Sequence, residues 1–165
     1  MYEPDKAQFT EWVRKYRSSL YRAAWALTGE RSLAQDLVQE TFALAWRARK
    51  QLINSDLVQA WLYRILKREA VKQWRQRRIY EPLDEAENEA SFEDTTALEM
   101  QLDLVNALQE LNDAHREILV LHYLSDLSYE QMSITLEIPI GTVMSRLNRA
   151  RCALRQILKG ENCHE

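Results

Sequence analysis

The sequence predicts an all-α fold, two small helical domains joined by an acidic flexible linker, and three observations predict it. Only three glycines and three prolines occur in 165 residues, too few for the many turns of a sheet protein, so long helices are favoured. Apolar residues recur at three-and-four spacing along most of the chain, the mark of helices with one buried face. Charge is segregated: residues 81–103 hold nine acidic residues and no basic one, and residues 64–78 hold seven basic residues against Glu69 alone. The acidic tract opens with Glu81 and Pro82 and has few large apolar side chains up to residue 97, which reads as a linker. It separates a domain at 1–80 from one at 98–165, each small but able to bury a helical core.

The first helix runs from Asp5 to Thr28. Phe9, Trp12, Val13, Tyr16, Leu20, Ala23, Ala24 and Leu27 mark one broad apolar face, and Gly29 is a natural stop. Ser32 and Gln35 suit a capping box for the second helix, which reaches Lys50 and buries Leu33, Leu37, Thr41, Leu44 and Ala45. Its other sides carry Asp36, Gln39, Glu40 and Trp46. A polar loop over 51–55 follows, and Asp56 with Gln59 opens a third helix to Arg78. Val58, Trp61, Leu62, Ile65 and Leu66 form its core stripe. Tyr63, Lys67, Ala70 and Trp74 form a second stripe that mixes aromatics with cations, beside Arg64, Val71 and Arg78. Rings among cations can stack bases while the cations hold phosphate. Periodicity alone leaves a second reading open, in which Trp74 completes the core and the cations are simply solvated.

Beyond the linker, Leu98, Leu102, Val105, Leu108 and Leu111 give a fourth helix, and Asn112 or Asp113 caps a fifth with Ile118, Leu119, Leu121 and Leu124 as core. Residues 128–158 then read as a helix-turn-helix, a device that lays its second helix in the DNA major groove. Ser128 and Gln131 form a capping box, Pro139 disfavours helix at Ile138, and Gly141 and Thr142 open the second helix. Val143, Leu147, Ala150, Leu154 and Ile157 make the buried stripe of that helix. Thr142, Ser145, Arg146 and Arg149 fall on its other sides, where arginines can contact phosphates or guanine edges.

Several function classes are excluded. The three histidines, His115, His122 and His164, are not at metal-ligand spacing, and no HExxH, CxxC, GxSxG or glycine-rich phosphate loop occurs, so neither a metal, a cofactor nor an enzyme activity is expected. Two cysteines, Cys152 and Cys163, give no secreted-domain framework and suggest a reducing compartment. No apolar run approaches the roughly 20 residues that span a bilayer, so a cytoplasmic location is expected.

Three segments together resemble bacterial RNA polymerase sigma factors of the extracytoplasmic-function (ECF) group. AQDLVQETFALAWRARK (34–50) is similar to the polymerase-binding segment of the first sigma domain. AWLYRILKREAVKQWRQRR (60–78) is similar to the promoter-melting and −10 segment, and residues 111–158 to the domain that reads the −35 element. The resemblance implies that Asp36, Gln39, Glu40, Phe42 and Trp46 dock the β′ clamp helices of core polymerase, with the β subunit as a further contact. It implies that the loop with Leu52 and Asn54, then Tyr63, Arg64, Lys67, Arg68, Lys72, Trp74 and Arg75, hold the melted non-template strand of the −10 element. It further implies that Thr142, Ser145, Arg146 and Arg149 take duplex −35 DNA and that an anti-sigma factor is a partner.

Four positions depart from the family pattern. Leu52 stands where an aromatic is frequent, Arg68 where an asparagine is, Met144 where a lysine is, and Glu137 at the usual turn glycine. The other reading of the residues is a stand-alone helix-turn-helix regulator that binds a palindromic operator as a dimer. Weak DNA binding by the isolated chain is expected, because the acidic tract opposes non-specific attraction.

Overall fold

The computed structural model describes residues 4–80 and 95–160, with the side chains of 78–80 and 95–97 excepted. Seven α-helices follow in order: α1 (Lys6–Thr28), α2 (Arg31–Ala48), α3 (Val58–Tyr80), α4 (Thr95–Glu110), α5 (Asp113–Leu119), α6 (Tyr129–Leu136) and α7 (Ile140–Lys159). Short 3-10 turns at Arg49–Gln51 and Ser55–Leu57 lead from α2 to α3, and a π turn at Val120–Leu124 extends α5. The expected flexible linker falls mostly on 81–94, outside the described residues.

Helix ends follow from local chemistry. The Asp5 carboxylate accepts from the Gln8 amide at 2.7 Å and starts α1, as N-cap oxygens do for otherwise orphaned amides. Gly29 ends it in the left-handed conformation at φ 77°, donating to the Trp25 carbonyl. Glycine suits that site, because left-handed backbone strains a residue with a Cβ, and a Cβ there would also press on Gln109 at 3.2 Å. The capping box expected from Ser32 and Gln35 does not form. With so short a link after Gly29, α2 already starts at Arg31, and Ser32 lies inside it. Arg31 instead stacks its guanidinium on Trp25, 4.5 Å from the ring centre. The start of the third helix also moves. Asn54, not Asp56, supplies the capping oxygen, accepting from the Asp56 amide at 2.9 Å.

In the N-terminal domain α1, α2 and α3 pack together around Leu20, Ala23, Leu37, Val58, Leu62 and Leu66. Phe9 anchors one end, meeting Phe42 and Trp46 edge-on with ring centres 6.4 and 5.1 Å away. In the C-terminal domain α5 and α7 cross, with α4 and α6 against α7, around Ile118, Leu121, Met132, Val143 and Leu147. Arg116 ties the corner between α4 and α5. Its guanidinium donates to the carbonyls of Leu108, Gln109 and Leu111 at 2.8, 3.0 and 2.8 Å and to the Asp113 carboxylate at 3.2 Å. Two carbonyls of the last turn of α4, and that of Leu111 just beyond it, gain a donor in this way.

The helix-turn-helix has the expected capping box. The Gln131 amide reaches Ser128 Oγ at 3.1 Å, and the Ser128 amide reaches the Gln131 side-chain oxygen at 2.9 Å. Glu137 takes the turn in the left-handed region at φ 56°, and Ser133 Oγ donates to the Ile138 carbonyl at 2.6 Å. Pro139 then occupies the N-cap of α7, which starts at Ile140, one residue before the expected opening at Gly141.

The two domains are not separate bodies in this fold. A single buried apolar cluster runs through both, and α1 packs on α4, α5 and the π turn as well as on α2 and α3. The Ala26 carbonyl accepts from Gln109 Nε2 at 2.6 Å. Trp25 and Ala26 lie outside the apolar face expected for α1, yet both are buried.

Candidate nucleic-acid and polymerase interfaces

Three surfaces collect the residues singled out by the sequence. The first lies between α2 and α3. Asp36, Gln39 and Glu40 are exposed and line one groove with Ala43, Glu69, Lys72, Gln73 and Gln76. Phe42 and Trp46 do not join them. Both are half-buried on Phe9, and Arg49 covers the Trp46 ring at 4.0 Å. On a helix, positions 36, 39, 40 and 43 share one side while 42, 46 and 49 share another. The expected polymerase-docking set therefore splits into a polar groove wall and an aromatic support.

The second surface is the outer side of α3. Arg64, Lys67, Arg68, Lys72 and Arg75 are all exposed and line a groove with Val71, Gln76 and Thr135 of α6. Five cations on one helix side create a strong positive field for a phosphate backbone. Glu69, almost fully buried, pairs with Lys72 at 3.5 Å and Arg68 at 3.7 Å, which fixes both on this side of the helix. Trp74 is 58% exposed, and is therefore not the core residue of the alternative reading.

Two expected members of this surface are corrected. Tyr63 is 1% exposed and belongs to the core. Its hydroxyl alone reaches outward, donating to Glu117 Oε1 at 3.4 Å. Burial first, and then the charge and hydrogen bond of Glu117, hold that phenol well above its usual range. Leu52 is 4% exposed and packs into the N-terminal core, whereas its neighbour Ile53 is 90% exposed. The loop thus presents Ile53 where Leu52 was expected, one residue along. A short apolar pair gives the sequence no periodicity with which to choose between them. Asn54 is exposed, but its side-chain oxygen is engaged by the Asp56 amide.

The third surface is on α7. Val143, Leu147 and Ala150 are buried, Leu154 and Ile157 half-buried, and Ser145 and Arg149 stand exposed on the other side, with Thr142 and Arg146 partly exposed. Arg149 folds back on its own helix, Nε to the Ser145 carbonyl at 3.3 Å, and is thereby aimed along the outer face. His115, at the start of α5, belongs to the same region. Burial, then the positive charges of Arg149 and Arg146, keep its imidazole below its usual pKa. No sequence pattern marks it, because it is 31 and 34 residues from its neighbours Arg146 and Arg149.

Residues 12–79 match the family described as Sigma-70 region 2, and residues 101–154 match Sigma-70, region 4. These two matches, in that order, take in both basic surfaces and the groove of α2. The chain belongs to the ECF group of RNA polymerase sigma factors. It is similar to the ECF RNA polymerase sigma factor SigE of Mycolicibacterium smegmatis, 34% identical over 93% of this chain and 64% of that one. This sigma factor therefore spans just under two thirds of that relative. It is also similar to the RNA polymerase sigma-E factor of Streptomyces avermitilis, 30% identical over 94% of this chain and 87% of the relative. Among solved structures, the sigma factor RpoE of Bartonella quintana, crystallised with the anti-sigma factor NepR, superposes with a TM-score of 0.78. The identity is 28%, and the match covers 93% of this sigma factor and 98% of that chain. Among the described residues no helix is long and apolar enough to cross a membrane.

Proposed function

We propose that this sigma factor binds core RNA polymerase through the Asp36, Gln39 and Glu40 wall of α2 and directs promoter-specific initiation by reading two DNA elements. The cation row of α3, with Ile53 and Trp74 beside it, takes the melted non-template strand of the −10 element. Phosphates meet Arg64, Lys67, Arg68, Lys72 and Arg75, and an unstacked base has apolar surface to rest on. Thr142, Ser145, Arg146 and Arg149 of α7 take the −35 duplex in the major groove. The bond-making chemistry is the polymerase's, and this chain contributes binding energy and specificity. Phe42 and Trp46 act by holding α2 against α1 rather than by touching polymerase.

The observation that carries this reading is the placement of two chemically different basic surfaces on two sigma regions of one chain. One is a cation row with an exposed indole, suited to a single strand. The other is an exposed helix face behind a capped turn, suited to a duplex. The resemblance and the relative crystallised with NepR support an anti-sigma factor as a further partner.

Reconstitution with core polymerase on a promoter library tests the proposal. Arg149→Ala is expected to abolish specific initiation while leaving core binding intact, and Glu40→Lys to weaken core binding while sparing duplex contact. Tight binding of a palindromic duplex by the chain alone, without stimulation of polymerase, would overturn it. So would equal loss of both functions in either variant.

A further inference from the structure

The outer side of α7 carries two exposed side chains that the −35 set above leaves out, Met144 and Asn148. Met144 is 50% exposed and Asn148 is exposed as well, while Val143, Leu147 and Ala150 are buried on another side of the helix. Four residues apart, the two lie one above the other on one helix side, next to Ser145 and Arg149. Those two neighbours are already engaged with their own helix. Ser145 Oγ donates to the Thr142 carbonyl at 3.2 Å and accepts from Arg149 Nη2 at 3.4 Å, and Arg149 Nε donates to the Ser145 carbonyl at 3.3 Å. Asn148 is open by comparison. Its amide nitrogen has no partner among the described residues, and its oxygen accepts only from Arg151 Nη1 at 3.5 Å, the long limit of a hydrogen bond. Arg151 is itself held by the Tyr123 hydroxyl at 2.7 Å, so it steadies the oxygen end of the amide and leaves the nitrogen end free to donate. In the first turn, a Cβ on Gly141 would meet nothing within 4 Å, and its bare backbone lets a groove floor come close.

We infer that Asn148 and Met144 are base readers, Asn148 for an adenine and Met144 for the methyl of a nearby thymine in the −35 duplex. The inference rests on the duplex-reading role given above to α7. A carboxamide matches the major-groove edge of adenine, its nitrogen donating to N7 while its oxygen accepts from the N6 amino group. Thymine alone presents a methyl group there, and packing it on a thioether removes apolar surface of both from water. The spacing follows from the helix. Four residues rise about 6 Å, less than two base-pair steps of about 3.4 Å each. Arg146 and Arg149 remain suited to phosphate or guanine, so these two side chains give the face its preference for A·T pairs.

The test uses the full chain at low salt and duplexes randomised over one helical turn, about 10 bp, enriched by mobility shift. The enriched duplex should hold an adenine and a thymine within about two base pairs of each other. Two base analogues then probe that duplex with the wild-type protein unchanged. 7-Deazaadenine, which lacks the N7 acceptor, should weaken binding about tenfold. Uracil for thymine, which lacks only the methyl, should weaken it about threefold. Asn148→Ala should be indifferent to the first analogue and keep the penalty of the second, and Met144→Ala should do the reverse. Met144→Lys should lose the uracil penalty and steepen the fall of log affinity with log salt by about 0.9. Both sites are exposed, and the analogues alone decide the matter should a variant lose helix content by circular dichroism. An enriched set without adenine or thymine, or penalties of equal size in wild type and variants, would overturn the inference. So would a preference for A·T pairs that survives both analogues, since it is then read through duplex shape. No step needs polymerase, so the two readings fail separately. A chain that initiates specifically but ignores both analogues loses the base readers alone. A chain sensitive to both that never stimulates polymerase loses the sigma role alone.

Discussion

Replacing Arg116 by alanine removes a side chain that ties together the corner between α4 and α5. The guanidinium serves three backbone carbonyls, of Leu108, Gln109 and Leu111, all within 3.0 Å, and its side chain is 15% exposed. Hydrogen bonds from a charged group contribute about 1.5–3 kcal/mol each, so three give a gross ceiling of about 4.5–9 kcal/mol. Two effects reduce it. Water enters the vacated space and satisfies part of the carbonyls, and the freed chain no longer fixes an arginine with about 2 kcal/mol of rotamer entropy. The Asp113 pair adds little, because that carboxylate is 99% exposed, and exposed pairs contribute less than about 1 kcal/mol. The net expected loss is about 3 kcal/mol. With a urea dependence of about 1–2 kcal/mol per molar, the unfolding midpoint of the C-terminal helices falls by about 1.5–3 M. Urea titration of the full chain followed by far-ultraviolet circular dichroism measures it. Arg116→Lys should recover only a small part, since an ammonium group cannot present the planar fork that reaches three carbonyls at once. A loss below about 1 kcal/mol in Arg116→Ala, or full rescue by lysine, would show that the corner is held by apolar packing of Leu108, Leu111 and Ile118 instead.

Other expected outcomes follow from the same geometry. Leu52→Ala should cost about 2–4 kcal/mol of stability by leaving a core cavity, whereas Ile53→Ala should leave the melting temperature within about a degree or two and weaken binding of a melted −10 strand. Scanning calorimetry and a bubble-template binding assay separate the two. Glu137→Gly should raise stability by about 0.5–1 kcal/mol, because left-handed backbone costs a residue with a Cβ more than the extra unfolded-state freedom of glycine costs. A decrease in the urea midpoint would contradict the strain at that turn. Burial, then Arg151, hold the His122 imidazole below its ordinary 6.5, against a smaller opposing effect of Asp126. The unfolded chain therefore takes up the proton first as pH falls. Stability should drop below about pH 6.5 and level off only beneath the depressed folded value. His122→Gln should flatten that slope in melting temperatures taken between pH 7 and 5, and an unchanged slope would assign it to other groups.

The sequence alone determined the local structure, because helix periodicity, caps and charge runs depend on neighbours a few residues away. The Ser128–Gln131 capping box, the stop at Gly29, the buried stripe from Val143 to Ile157 and the cation row of α3 were all legible. So was the order of the two sigma-like regions. Tertiary structure decided which of two adjacent or opposed faces is covered. Leu52 and Ile53 are chemically alike, and only the position of the α1–α2–α3 core buries the first and exposes the second. Tyr63 sits at helical spacing from Lys67, yet the core takes its ring and leaves only its hydroxyl to Glu117. Ser32 and Gln35 have the spacing of a capping box, but the tight link after Gly29 starts the helix before they can use it. Trp25 and Ala26 are buried off the expected face of α1, where the second domain packs. The pairing of Glu117 with Tyr63 joins residues 54 positions apart across the linker, and that of Arg64 with Ile134 spans 70. No periodicity reports such contacts, since the free energy that sets them comes from bringing two finished domains together.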